Sequence, residues 1–216
     1  MIGLKMNHEH ACQLSLKTRE VDFGLFAGLA QHSRDLITSW SDRGIEMARD
    51  PFEGFIFLWL AVNGWGACIA DSDNDKEWVS AVANNDKLGD LFISLLNQGE
   101  SFREVAERFR QLWPVFKSSD IRRRGITVFA QATRVERIKT YLSHGLKVYQ
   151  PSCWTETHAE VPLDWLHTFN TLYRVRCNLF HGEKMVALEN DFLIVNAAYS
   201  VLAEYVRHTR ILTITP

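Results

Sequence analysis

Residues 173–184 read YRVRCNLFHGEK, and the fold turns on how this stretch continues the pattern before it. Leu166, Phe169, Leu172, Tyr173, Leu179 and Phe180 recur at three-, four- and seven-residue steps, the spacing of one buried face of an α-helix. Gly182 follows as a helix stop. The stretch therefore reads as the end of a core helix, and it carries Arg176 and, five positions on, His181. At about 100° per residue the two side chains diverge by about 140°, with about 7.5 Å of rise between them. They do not share a helix face, so a joint site needs its other half from elsewhere. A second copy of the helix across a two-fold axis would supply it. Asn178, three residues before His181, lies nearer the histidine's face. Two readings stand: a cation and a titratable imidazole that act together, or an arginine in the packing with a histidine that caps the helix and meets its dipole.

Around this helix the composition is that of a globular protein. The chain has 216 residues, of which 46% are hydrophobic and 23% charged, enough for one domain with a sizeable core and not the make-up of a disordered chain. Seven Trp and thirteen Phe supply bulky core material, while only 12 Gly and 5 Pro favour helices over a turn-rich β fold. The net charge of −2 gives no global attraction to nucleic acid, so any RNA contact must be local. Cys12, Cys68, Cys153 and Cys177 form no CxxC pair, and residues 1–12 lack a long apolar segment; the expectation is reduced thiols in a cytoplasmic protein. His8, His10 and Cys12 lack a nearby fourth ligand, so neither a metal nor a cofactor is expected.

Along the chain, residues 1–20 are polar and read as a loose segment. Residues 21–48 carry a helical pattern weakened by Gly24, Gly28 and Gly44, as one helix or two. Asp50-Pro51 is a helix start, with Asp as cap and Pro in the first turn. It opens PFEGFIFLWLAVNGWGACIA, residues 51–70, the most apolar run. Glu53, Asn63, Gly54, Gly64 and Gly66 interrupt it, and its unbroken apolar part is far shorter than the roughly 20 residues a bilayer needs. It reads as the central rod of a bundle rather than a membrane span, with Asn63 a buried amide that is either a satisfied core group or one that orients the site. Residues 71–76, DSDNDK, form a polar loop without the glycine and glutamate of a calcium loop. Residues 77–96 are helical with a break at Asn84-Asn85, and Ser101-x-x-Glu104 reads as a capping box opening a helix that stops near Pro114. Arg122, Arg123 and Arg124 sit in the most basic short stretch, a solvated run or a phosphate contact. Residues 126–144 read as a helix with Phe129 and Val135 on its apolar side, and residues 146–161 as an irregular connection. Pro162 opens the motif helix, residues 183–190 form a turn or partial hairpin, and residues 191–211 form a last helix with Phe192 inward.

The segment Arg176-Cys177-Asn178-Leu179-Phe180-His181-Gly182 resembles the R-x4-H signature of HEPN domains, and the apolar helix with Trp59 and Asn63 is similar to the other core helix of that family. The order of elements fits as well: apolar helix first, motif helix penultimate, one long helix after it. The resemblance implies an all-α, up-and-down helical bundle of the HEPN type with extra peripheral helices, spanning 1–216 as a single domain and working as a homodimer. It implies a metal-independent endoribonuclease, of the kind found among toxins and antiviral defence effectors, that leaves 2′,3′-cyclic phosphate and 5′-hydroxyl ends. His181 would be the acid/base and Arg176 the phosphate ligand, with Asn178 and Asn63 in support. Arg174, Lys184 and Arg122 to Arg124 are weaker candidates for RNA contact, and an antitoxin or regulatory protein is a candidate partner. Cys177 stands where the family has a polar residue, and Glu183 where the subgroup controlled by nucleotidylation has a tyrosine. The alternative within the family is a non-catalytic module that dimerises or binds a nucleotide or partner protein. Outside the family it is a plain helical scaffold.

Overall fold

Asp50 opens the helix around which the others pack. Its Oδ1 accepts from the backbone N–H groups of Phe52 and Glu53, both at 3.1 Å, and Pro51 takes the first turn, where a missing N–H costs nothing. In the computed structural model, which describes residues 19–129, 131–156, 161–180 and 189–212, this helix is α3 (Pro51–Ile69). α1 (Phe23–Gly28) and α2 (Gln31–Glu46) precede it. α4 (Asp75–Ala83), α5 (Asp86–Gln98) and α6 (Glu100–Arg110) follow. Next come the strand β1 (Val115–Phe116), α7 (Ser118–Arg123), α8 (Arg134–Ser143) and β2 (Tyr149–Gln150), then α9 (Trp165–Phe180) and α10 (Glu189–Thr209). The architecture is predominantly α-helical.

By length and apolar composition α3 could cross a membrane. In this fold it is packed on by α1, α2, α4 and α10, and Phe55, Leu58, Trp59, Ala61, Val62, Trp65 and Ile69 are buried. Its neighbours come close because small residues leave notches. A Cβ on Gly44 would meet the backbone N of Leu58 at 2.8 Å, and one on Gly54 would meet the Tyr199 ring at 2.5 Å. Glycine at these places is thus a packing requirement. Aromatic side chains fill the rest and use their polar ends as ties between helices. Trp165 Nε1 donates to the Val82 carbonyl at 2.9 Å, Tyr205 Oη to that of Leu88 at 2.8 Å and Tyr199 Oη to that of Gly44 at 3.1 Å.

Several local expectations hold. The pattern over 21–48 resolves into two helices, and α4 and α5 part at Asn84-Asn85, where Asn85 Oδ1 caps α5 through the Leu88 N–H. Others need correction. Ser101 caps nothing: Gly99 is the cap residue of α6, and the reciprocal capping box belongs to Thr133 and Glu136 on α8. The helix expected over 126–144 covers only Arg134–Ser143, and Phe129 and Val135 are exposed, at 86% and 60%. The connection expected to be irregular contains β2, which pairs antiparallel with β1, Val115 opposite Gln150 and Phe116 opposite Tyr149. A small second core of Phe116, Ile126 and Leu146 lies beside this ribbon. Phe192, expected inward, keeps 37% exposure while its ring stacks on Phe52 at 6.4 Å. Most of the segment expected to be loose, 1–20, and most of the turn at 183–190 lie outside the described residues.

Candidate functional site

α9 builds the site. Asp164 starts it, its Oδ1 accepting from the His167 backbone N–H at 2.9 Å and contacting His167 Nδ1 at 2.7 Å. Trp165, Phe169, Leu172 and Val175 then follow at helical spacing and are buried. Rings from neighbouring helices enclose this stripe. Trp59 of α3 lies 5.8 Å from Phe169 and 6.1 Å from Tyr173, centroid to centroid, and Trp78 of α4 lies 6.3 Å from Phe169.

One turn beyond Tyr173, Arg176 leaves this aromatic bed. Its guanidinium carbon lies 5.8 Å from the Tyr173 centroid and 5.1 Å from that of Phe180. Its Nη1 donates to Asp75 Oδ2 at 3.0 Å. Asp75 opens α4, and its other oxygen accepts from Trp78 Nε1 at 3.2 Å, which fixes the carboxylate. The contact is single rather than bidentate, and Arg176 Nε is buried without a hydrogen-bond partner among the described residues. Trp59 Nε1 and, one turn along α3, Asn63 Oδ1 are likewise buried and unpartnered there. Tyr173 shares a hydrogen bond with Cys177. Burial first, then the neighbouring Cys177 and Asp75, push the phenol well above its ordinary range, against the pull of Arg176.

Asn178 faces the interior of the fold. It is 1% exposed, and its amide is engaged at both ends by the chain around Lys117. Nδ2 donates to the Phe116 carbonyl at 2.9 Å, and Oδ1 accepts from the Ser118 N–H at 3.0 Å. It anchors the β1–α7 junction to α9. That brings the arginine run near: α7 has six residues, about 9 Å of helix at 1.5 Å per residue, so Arg122 and Arg123 stand about one helix length from the anchor. Arg123 is paired with Asp120, and Arg124 Nη1 donates to the His144 carbonyl at 2.7 Å, while all three arginines remain exposed. Arg174 is half-buried and about 200° around α9 from Arg176, so the two do not converge. Arg134 is no surface cation either. Its Nη2 donates to the carbonyls of Leu112 and Pro114, and burial pulls its pKa down to about 10.

The structure thus puts Arg176 and Asn178 near the same end of α9 but about 200° apart around its axis, Arg176 facing α4 and Asn178 facing the β1–α7 junction, and places Asn63 on the neighbouring core helix. His181 and Lys184 lie outside the described residues, as do His8, His10 and Cys12. Sequence reasoning missed Asp75, which it left in a polar loop; nothing local links it to an arginine 101 residues away. Elsewhere, a surface groove along α2 is lined by Asp35, Asp42 and Glu46 with Arg43, a sign of charge that disfavours a nucleic-acid backbone. No family model, no curated protein and no solved structure matches this chain.

Proposed function

We propose that this chain is a HEPN-type endoribonuclease that cuts RNA as a homodimer, in the cytoplasm and without a metal, as a toxin or defence effector. The observation that carries the reading is Arg176. It is held on aromatic faces at the end of the motif helix with an oxyanion, the Asp75 carboxylate, already on its guanidinium. Carboxylate and phosphate oxygens make the same kind of charge-assisted bond to this fork-shaped donor. Arg176 receives the scissile phosphate and offsets the charge that grows there. His181 moves the 2′-hydroxyl proton or protonates the leaving 5′-oxygen, giving 2′,3′-cyclic phosphate and 5′-hydroxyl ends. Asn178 holds α7 to the same end of α9, on the side away from Arg176, and the exposed arginines of α7 offer a separate basic surface for the RNA backbone. The two-fold axis lies at the motif end, where Phe180, Phe192 and Leu193, exposed at 44%, 37% and 47%, flank residues 181–188 in sequence. An antitoxin or regulatory protein would act by covering this end.

The test is incubation of the full chain with RNA in EDTA, with wild type beside Arg176→Ala and His181→Ala and with chemical analysis of the product ends. Wild type cuts and both variants do not; cutting of equal strength by all three removes the motif from the mechanism. The second reading, a HEPN module that binds without cutting, is favoured by the engagement of both Arg176 and Asn178 within the fold. RNA retained by wild type, released by Arg176→Ala and never cleaved selects it.

A further inference from the structure

The contact between Arg176 and Asp75 has the composition of a blocked anion site. Asp75 is the one carboxylate paired with Arg176 among the described residues, and their side chains are 37% and 21% exposed. A pair at this depth feels less screening than a surface pair but remains open to exchange with solvent. The bond uses one Nη and leaves the buried Nε without an acceptor among the described residues. A guanidinium is best satisfied by an acceptor with two adjacent oxygens, and an unmade bond to a buried donor is costly. The carboxylate therefore holds Arg176 in place while satisfying it incompletely. Asp75 itself is kept on station by Trp78 Nε1 and by the Asn74 cap of α4, so its position does not depend on Arg176.

We propose that Asp75 is an internal competitor for the substrate phosphate: it occupies the Arg176 guanidinium at rest, and RNA binds by displacing it. The inference rests on the reading that Arg176 receives a phosphate. It adds that resting affinity for RNA is set low by a carboxylate on another helix, so anything that draws Asp75 away raises affinity without touching the motif.

The experiment measures binding of a short fluorescein-labelled 2′-O-methyl RNA, which cannot be cleaved through its 2′-oxygen, to the full chain by fluorescence anisotropy at fixed salt. Asp75→Asn keeps an oxygen for Trp78 and removes the charge, and Asp75→Ser removes the charge with a residue suited to a helix start. Asp73→Asn, two residues away in the loop that leads into α4, controls for the general loss of negative charge. The expected result is tighter binding by both Asp75 variants, by about threefold to tenfold, and a clearly smaller gain for Asp73→Asn. In the Arg176→Ala background the Asp75→Asn gain shrinks to that of the control. Equal gains from Asp73→Asn and Asp75→Asn overturn the proposal, as does weaker binding by Asp75→Asn, which would make the carboxylate a positioning group. In both cases Arg176→Ala still weakens binding. If Arg176→Ala binds as wild type does, the failure lies in the phosphate role of Arg176 itself.

Discussion

Asn178 spans Lys117: one end of its amide donates to the carbonyl of Phe116 and the other accepts from the N–H of Ser118. A side chain so placed matches a two-atom backbone pattern that no apolar residue can replace. Asn178→Ala leaves a buried carbonyl and a half-buried N–H without that partner. The expected loss is on the order of 2–4 kcal/mol of folding stability, read as a lower urea midpoint. A purely catalytic asparagine would instead lose activity at unchanged stability.

The glycines of the helix pairs divide by surroundings. Gly44→Ala pushes a methyl group against the Leu58 and Gly54 backbones, which cannot rotate away, so it should destabilise by about 1–3 kcal/mol. Gly89, inside α5, has nothing within 4 Å of an added Cβ, so Gly89→Ala should stabilise by up to about 1 kcal/mol. Thermal melts of the two variants should move in opposite directions.

Alkaline pH should weaken the fold through its buried phenols. Burial raises the pKa of Tyr205 far above the ordinary value and raises that of Tyr199 too. The folded state keeps these protons to higher pH than the unfolded chain. Their contribution is complete below about pH 10 and is lost as pH rises from there towards the folded value. The urea midpoint of wild type should therefore fall above about pH 10. Tyr205→Phe, lacking one such proton, should show a shallower fall; parallel curves would exclude Tyr205 as a source.

Assembly has its own readout. Sedimentation of wild type should give a dimer at micromolar concentration. Leu193→Asp, a charge on a half-exposed apolar position of α10, should shift it towards monomer while the helical circular dichroism is kept. A monomeric wild type at that concentration would count against a site shared between two chains.

Local chemistry made much of the helical order legible. Asp50 and Asn85 are caps whose side chains bond the first turns of the helices they precede. Of the apolar steps read along α9, Phe169 and Leu172 are fully buried, while Phe180 at the helix end keeps 44% exposure. Features set by distant partners left no such trace. A two-residue strand has no periodicity to read, so β1 and β2 were invisible until paired. Ser101 and Glu104 have the spacing of a capping box, but the helix begins two residues too early for the box to form. Gly44, taken from the sequence as a weakness, is a contact point because of Leu58 and Gly54 on another helix. The same limit governed the candidate site. Arg176 could be picked out by its spacing from His181, but its carboxylate partner lies in another helix, and the engaged amide of Asn178 depends on a ribbon that the sequence does not announce.

The Trp59 and Tyr173 rings lie 6.1 Å apart, and Arg176 rests over the second of them. Indole emission responds to nearby charge and polarity, so this molecule carries its own optical probe beside the guanidinium. Arrival of an anion there would be followed in a cuvette, with no dye attached, as a change in ultraviolet fluorescence to which Trp59 and Trp78, the indole bonded to Asp75, both contribute.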